Sequence, residues 1–355
     1  MLFEKFGRGI NLGGYLSQYE IVTNMQDQAD IDRHFSEFIT ESDIAKISSW
    51  GLDHIRVPID GYLFFDRAAG KLKEEPMHFL DNVINWADKY RLNVILDLHN
   101  FWGHRFGQMK EPTEIMLDEG IRVDFCRFWQ KMAKHYYNHS GSVLLFELFN
   151  EIADATGYQW NNLYLSAISS IREVDPDRWI LVGTNNVNSI AYLDRLALMA
   201  DKHVFYNFHY YEPNCFTHQK AHFSEEMTTW GQALTYPGNM AEYLKFLENH
   251  TNWKDEHELL TPDCIVNDHA LMLRYLKYAE NFLKYTGKEL MCTEYGVIDS
   301  ADEDEAVKWL KDFDTECNRL HIGHTMWNYK ELDFEVVNEA NETVRPKVLA
   351  YLCGK

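Results

Sequence analysis

The amino-acid sequence predicts an α/β domain folded as a (β/α)8 barrel, and three observations predict it. Eight short apolar runs alternate with longer amphipathic patterns from one end of the chain to the other. No linker interrupts them: the eight prolines are scattered singly, and no Gly/Ser-rich or low-complexity tract breaks the chain. The 355 residues exceed the ~250 of a plain barrel by roughly a hundred, a surplus that must sit in loops.

The apolar runs are Gly9–Leu12, His54–Pro58, Asn93–Leu98, Val143–Phe149, Trp179–Gly183, Val204–His209, Glu289–Tyr295 and Ile322–Trp327. Each is short, continuous and rich in β-branched or aromatic residues, as strands covered on both faces are. Between them, Thr40-x-x-Asp43 opens a helix with a capping-box pattern. Apolar stripes at three-and-four spacing mark further helices: Phe79 to Ala87, Ile121 to Tyr136, Trp160 to Ile171 and Ala306 to Leu320. Strands that alternate with helices pair in parallel, because each return needs a crossover. Eight such units favour closure into a TIM barrel over an open doubly wound sheet. One connection is out of proportion. Glu212 to Pro262, between strand six and its helix, spans about fifty residues. This segment, 212–262, is expected to form an inserted subdomain over the barrel mouth, and its Phe216, Trp230 and Tyr236 suggest a lid or wall.

Composition excludes several function classes. With 34 basic against 55 acidic residues the net charge is −21, which repels phosphate backbones and anionic lipid. Nucleic-acid and membrane partners are therefore not expected, and no run of ~18 apolar residues offers a membrane span. The N-terminal MLFEKFGRGINLGG has no basic segment followed by an apolar one, so a cytoplasmic location is expected if Met1 is the native start. The six cysteines, at 126, 215, 264, 292, 317 and 353, are far apart and fit reduced thiols. A monomer is expected.

In a barrel of this type chemistry sits at the C-terminal strand ends. Strand two carries Arg56; strand three ends in Asp97-Leu98-His99-Asn100; strand four in Phe149-Asn150-Glu151. Strand six ends in His209-Tyr210-Tyr211, strand seven in Thr293-Glu294-Tyr295 and strand eight in Trp327-Asn328. Two glutamates thus emerge from opposite sides of the mouth. Glycoside hydrolysis asks for this pair: one carboxylic acid protonates the leaving oxygen, and one carboxylate attacks or activates water. Arg56 and Tyr211 near Glu294 would keep it ionised, while a less charged surrounding would leave Glu151 protonated. Asn150 is placed to donate to a sugar 2-hydroxyl, and Trp327 offers a flat face for a pyranose ring. Either glutamate alone would read equally well as a solvated strand end; the joint set of partners argues for a site.

The same residues carry a resemblance. From Gly9-Ile-Asn-Leu-Gly-Gly14 to Trp327-Asn-Tyr-Lys-Glu-Leu-Asp-Phe-Glu335 the chain resembles glycoside hydrolase family 5, with Asn207-Phe-His-Tyr-Tyr-Glu-Pro213 and Phe216-Thr-His-Gln-Lys-Ala-His222 as specific segments. It looks like the compact bacterial endoglucanases of that family. The resemblance implies a retaining mechanism with Glu151 as acid/base and Glu294 as nucleophile. Arg56, His99, Asn150, His209, Tyr211 and Trp327 match the remaining family positions. Asn100 stands where the family often has a second His, and Tyr15 where it often has Trp. Both are expected to line the cleft and bear on substrate preference.

Other patterns lead elsewhere. Gly7-x-Gly9-x-x-x-Gly13 misses the dinucleotide spacing, with Leu12 where Gly is required. His135 and His139 lie four apart without the metalloprotease Glu and read as a surface pair. His218 and His222 have no matching carboxylates nearby in sequence, so no metal and no cofactor is expected. Serine-hydrolase elbows and P-loops are missing. Trp86, Trp129 and Trp309 lie on helical stripes and read as core; Trp102, just after strand three, is the candidate sugar platform, ahead of Trp230.

The reading is a hydrolase of internal β-1,4 linkages in β-glucans or their oligosaccharides. The alternatives are an exo-β-1,3-glucanase, a β-mannan-active enzyme and, outside catalysis, a carbohydrate-binding protein. A metal-dependent barrel hydrolase would need His-x-His where the chain reads Asn11-Leu12-Gly13.

Overall fold

The computed structural model describes residues 1–22, 28–106, 113–139, 141, 143–154, 156–250, 253, 257 and 259–354. Eight parallel strands close into a barrel: β1 (Arg8–Asn11), β2 (His54–Asp60), β3 (Asn93–Asn100), β4 (Leu144–Glu147), β5 (Trp179–Gly183), β6 (Val204–Tyr210), β7 (Leu290–Tyr295) and β8 (Gly323–Met326). Each pairs with its neighbours in sequence, and β1 closes the ring on β8 through Arg8–His324 and Ile10–Met326.

The helices that cover the outer face are α1 (Glu41–Ser49), α2 (Glu74–Tyr90), α3 (Glu119–His135), α4 (Tyr158–Arg172), α5 (His269–Thr286), α6 (Glu303–Leu320) and α7 (Pro346–Leu352). Their stripes are those read in the sequence: Leu80, Val83, Ile84 and Ala87 on α2, and Trp309, Leu310 and Phe313 on α6, are buried against the strands. Trp129 and Trp309 are fully buried, and Trp86 packs half-buried against the same core. At α1, Asp43 accepts both the backbone N–H and the hydroxyl of Thr40 (2.8 and 2.7 Å), tying the entering chain to the first turn.

One unit departs from the expected alternation. Between β5 and β6 the chain forms a short 3-10 helix, Ile190–Arg195, instead of an α-helix. Only about twenty residues separate the two strands, and part of that length runs across the barrel mouth. The long stretch between β6 and α5 holds helices Asn214–Thr217, Glu225–Trp230 and Ala241–Glu248 and a two-stranded pair, Gly238–Asn239 with Val266–Asn267.

The barrel interior is layered. At the bottom, Ile95, Leu145, Leu181, Phe205 and Met291 close over Leu2 and Phe6 as an apolar plug. One step up each strand the inward positions turn polar: Asn11, Arg56, Asp97, Glu147, Asn207 and Thr293 are all buried. Period-two alternation makes this a continuous layer beneath the mouth. The six cysteines are free thiols. No helix among the described residues is long and apolar enough to cross a membrane.

Candidate active site

Arg56 is the organising side chain. It is completely buried on β2, and its guanidinium reaches four strands. Nε and Nη2 bond the Glu147 carboxylate on β4 (2.7 and 3.1 Å), Nη1 bonds Asn11 Oδ1 (3.0 Å) and Glu294 (2.6 Å), and Nη2 bonds Asn150 Oδ1 (2.8 Å) and pairs with Asp97 (3.0 Å). Burial alone would lower its pKa, but Asp97, Glu147 and Glu294 together raise it well above the ordinary value. A guanidinium suits this place because its five donors point in fixed directions and it stays charged.

Glu294 lies on β7 where the register with β6 slips between Cys292 and Glu294. In a regular strand Thr293 and Glu294 would face opposite sides. Here both reach inward: Thr293 Oγ1 bonds Glu147 (3.0 Å) and receives Asn207 Nδ2 (2.8 Å), while Glu294 receives Arg56 and the Tyr211 hydroxyl (3.1 Å). The bulge re-aims the carboxylate into the mouth.

Glu151 follows β4 on a backbone with φ +42°, a left-handed conformation that a side chain rarely adopts. Such a residue costs on the order of 1–3 kcal/mol and persists only where neighbours hold it. It is 9% exposed and accepts Nδ1–H of His209 at 2.8 Å. The other ring nitrogen, Nε2, lies 3.1 Å from both Asn188 Nδ2 and Thr293 Oγ1; where it accepts from the Asn188 amide, Nδ1 carries the proton. Burial pushes Glu151 up to about 7, against the pull of His99 and Arg56, and pushes His209 down to about 4. The acid form of Glu151 therefore persists in a neutral solution beside a neutral imidazole. The expected less charged surrounding is replaced by desolvation as the cause.

One oxygen each of Glu151 and Glu294 and a nitrogen of His209 lie within 4.8 Å of one another. This trio is the one grouping of metal-capable side chains among the described residues. It is chemically a carboxylate pair beside an imidazole that hydrogen-bonds Glu151 and stands 3.7 Å from Glu294. Inverting carboxyl pairs stand about 6.5–9.5 Å apart to leave room for water, and retaining pairs about 5–5.5 Å. Oxygens of the two carboxylates within 4.8 Å of each other stand nearer the second range than the first.

The surroundings complete a sugar-sized platform. Trp327 stacks on His99 (centroids 5.8 Å, planes 11° apart), whose Nδ1 is held by Asp97 at 2.9 Å. Gly13 makes room for this ring, since a Cβ there would meet it at 2.5 Å. Asn150 Nδ2 is buried without a partner, pointing to an acceptor the protein does not supply. The cleft across the mouth measures about 1310 Å³; Phe106 from the β3 loop lines one arc and Tyr192, His257 and Leu259 line the opposite one.

The structure thus gathers Arg56, His99, Asn150, Glu151, His209, Tyr211, Glu294 and Trp327. Four sequence expectations need correction. Asn100 lies outside the main cleft: its amide donates to Asp60 (2.6 Å) and its oxygen receives the Phe106 N–H (2.7 Å), so it braces two loops. Trp102 lies off the cleft too, packed edge-on to Phe101 and Tyr62 with the Arg67 guanidinium over its ring at 5.3 Å. Tyr15 is buried, donating its hydroxyl to Phe35 O (2.8 Å) beneath the β1 loop. Phe216, Trp230 and Tyr236 are the apolar filling of the segment after β6 rather than its cleft face. His218, His222 and Phe223 take that face. His135 bonds Asp81 at 2.9 Å on the surface, as expected of a pair outside the chemistry.

Sequence reasoning missed Asn188 in the loop after β5, and it missed Asn11, Glu147, Asn207 and Thr293, which belong to the layer beneath the carboxylates. Their signal was present as polar residues at inward positions of otherwise apolar strands.

Residues 16–333 match the family described as Cellulase (glycosyl hydrolase family 5). The chain belongs to this family. It is 36% identical over 351 residues to Endoglucanase C of Acetivibrio thermocellus, covering 99% of this chain and 98% of that one. Cellodextrinase A of Ruminococcus flavefaciens is 31% identical over 86% of this chain and 80% of its own. In fold, the chain matches the Thermotoga maritima Cel5A structure in complex with cellobiose, with TM-score 0.76 and 24% identity over 99% and 100% of the two chains. A family 5 member is a glycoside hydrolase.

Proposed function

We propose that this family 5 enzyme hydrolyses internal β-1,4 linkages of β-glucans and cello-oligosaccharides with net retention at the anomeric carbon. The observation that carries the mechanism is the close Glu151–Glu294 pair with unlike partners: a cation and a phenol on Glu294, a neutral imidazole donor on a buried Glu151.

With a sugar ring on Trp327 and its 2-hydroxyl accepting from Asn150, a Glu294 oxygen attacks the anomeric carbon. Glu151 passes its proton to the departing glycosidic oxygen as the C–O bond breaks. Glu151, now anionic, takes a proton from water, which attacks the glycosyl-enzyme and frees Glu294. Arg56 and Tyr211 receive the carboxylate again as it is released. Internal cleavage is supported by the ring order of the barrel: loops after β1 and β3 line one arc of the cleft and loops after β5 and β6 the opposite one, with the carboxylates between. The relatives named endoglucanase support the same substrate class.

The test is proton NMR of cello-oligosaccharide hydrolysis together with a timed product profile on mixed-linkage β-glucan, laminarin and mannan. First release of the β-anomer and rapid shortening of mixed-linkage glucan are expected, with Glu294→Gln slower by about 10⁴-fold or more. First release of the α-anomer would overturn the retaining mechanism, and single-sugar release from laminarin would overturn the substrate. Glu151→Ala is expected to lose about 10²–10⁴-fold, and added azide should restore turnover of substrates with good leaving groups as a β-glycosyl azide.

A further inference from the structure

Asn188 lies in the loop after β5, completely buried and off the cleft wall, so any part it plays passes through other residues. The backbone that presents it is strained. Val187 and Asn188 are consecutive left-handed residues, with φ +44° and +52°. Asparagine tolerates that region, but a β-branched valine is an outlier there. Such strain persists only where the surroundings over-determine it, and it gathers at functional sites. Here the Val187 N–H donates to Ile152 O (3.0 Å), and Asn188 O accepts the His209 N–H (2.7 Å). The turn is thus clamped between the residue after Glu151 and β6. Gly183 leaves the space for it: a Cβ there would meet Asn188 Oδ1 at 2.5 Å and Asn207 Oδ1 at 2.6 Å.

The direction of each hydrogen bond from this turn to the acid is set from one end. The Glu147 carboxylate, bonded twice by Arg56, only accepts. Asn207 Nδ2 therefore donates to it (2.6 Å) and to Thr293 Oγ1 (2.8 Å), which leaves Asn207 Oδ1 turned toward Asn188. An oxygen there calls for a donor, and Asn188 supplies Nδ2 at 3.4 Å. The same amide nitrogen stands 3.1 Å from His209 Nε2. The other end of the amide shows the consequence: Asn188 Oδ1 is buried with no partner. Thr293 Oγ1 is also 3.1 Å from Nε2, but a hydroxyl turns to donate or accept as its neighbours require. An amide nitrogen has no such choice.

We propose that Asn188 is a positioning residue that sets the tautomer of His209 and, through it, the direction of the Glu151 proton. With Nε2 accepting from Asn188, Nδ1–H donates to Glu151 Oε1 at 2.8 Å. The acid proton then sits on the other oxygen, free for the departing glycosidic oxygen. The opposite tautomer sets Nε2–H against an amide N–H and turns the Nδ1 lone pair on Glu151. In that state the acid donates to the imidazole instead of the leaving group, and the base form faces a lone pair. The proposal rests on the retaining β-1,4-glucanase reading above and adds a residue outside the cleft to the control of its acid.

Nitrogen-15 NMR of histidine-labelled protein tests it without reference to activity. The resonances that disappear in His209→Gln assign the ring. In the native protein Nδ1 should carry the proton and Nε2 should show the shift of a bare ring nitrogen. Asn188→Asp keeps the shape and tolerates the left-handed backbone, but it puts an acceptor where the donor was, so Nε2 should gain a proton. A protonated Nε2 in the native protein, or a bare one in Asn188→Asp, overturns the proposal.

Aryl β-cellobiosides give the second readout. On the phenyl glycoside, whose leaving group needs the proton, Asn188→Asp should lose about ten- to a hundredfold in kcat/KM; on the dinitrophenyl glycoside, which leaves unaided, it should lose less than about threefold. Asn188→Gly adopts the same φ and should show the same split, and thermal melts report that each variant is folded. Equal losses on both substrates overturn the role of Asn188. A native enzyme inert on both would instead overturn the β-1,4-glucanase reading, with the tautomer still read by NMR.

Discussion

At the scale of single residues the site works by unequal surroundings for like groups. Glu151 and Glu294 are both carboxylates at strand ends, yet Glu294 meets two donors and Glu151 meets burial and one neutral imidazole. With the acid at about 7, kcat/KM should fall as pH rises through about 7, since the glycosylation step needs the protonated form. A kcat/KM profile on a cello-oligosaccharide reads this limb directly. The same shift bears on stability. Folded Glu151 keeps its proton to about 7, whereas an unfolded glutamate loses it near 4.3, so the native state loses stability as pH rises between those values. Glu151→Gln removes that penalty while its amide oxygen still accepts from His209. It should melt a few degrees higher than the native protein at pH 8, on the order of 1–3 kcal/mol, and nearly equal to it at pH 4.

At the scale of elements, two local devices place the chemistry. The β7 bulge turns consecutive residues inward, and Gly13 at the end of the first strand lets Trp327 lie flat beside His99. Gly13→Ala would force the indole aside, with contacts of 2.5 and 2.7 Å to relieve. We expect a loss of about 1–3 kcal/mol in stability and a larger loss in kcat/KM than in melting temperature would suggest, measured on the same samples. A third device fixes the entry to α4. Asp154 accepts the backbone N–H groups of Thr156, Gln159 and Trp160 at 2.9–3.2 Å, just after Glu151. Asp154→Ala should cost about 1–2 kcal/mol in chemical denaturation, as the loss of a helix cap does. Most of this was readable in part: the capping pattern at Thr40 and the helical stripes are in the sequence. The bulge was not, because nothing in Cys292-Thr293-Glu294 distinguishes an extra residue from a regular strand.

At the scale of the whole molecule, the barrel supplies a rigid floor and the long connection after β6 supplies a wall. That wall presents His218, His222 and Phe223 to the cleft, with Phe223 53% exposed. We infer that it shapes substrate binding rather than the reacting centre. Phe223→Ala should raise KM for long oligosaccharides about three- to tenfold, the range of an aromatic contact, and change kcat by less than about twofold. Equal effects on kcat would count against this role.

The sequence alone determined the alternation of strands and helices in every unit but the one between β5 and β6, the parallel closure, and which strand ends carry the carboxylates. Those features depend on periodicity and on order along the chain, which a sequence displays directly. Tertiary structure alone decided which side chains meet. Arg56 binds Glu147 and Glu294 across 91 and 238 residues of chain, and no spacing rule records such pairs. It also decided that Trp102 and Asn100 brace loops while Gln18 and Phe106 line the main cleft. Loop residues next to a strand end have no fixed face, so their direction is set by whatever buried group, here Asp60, captures the loop first.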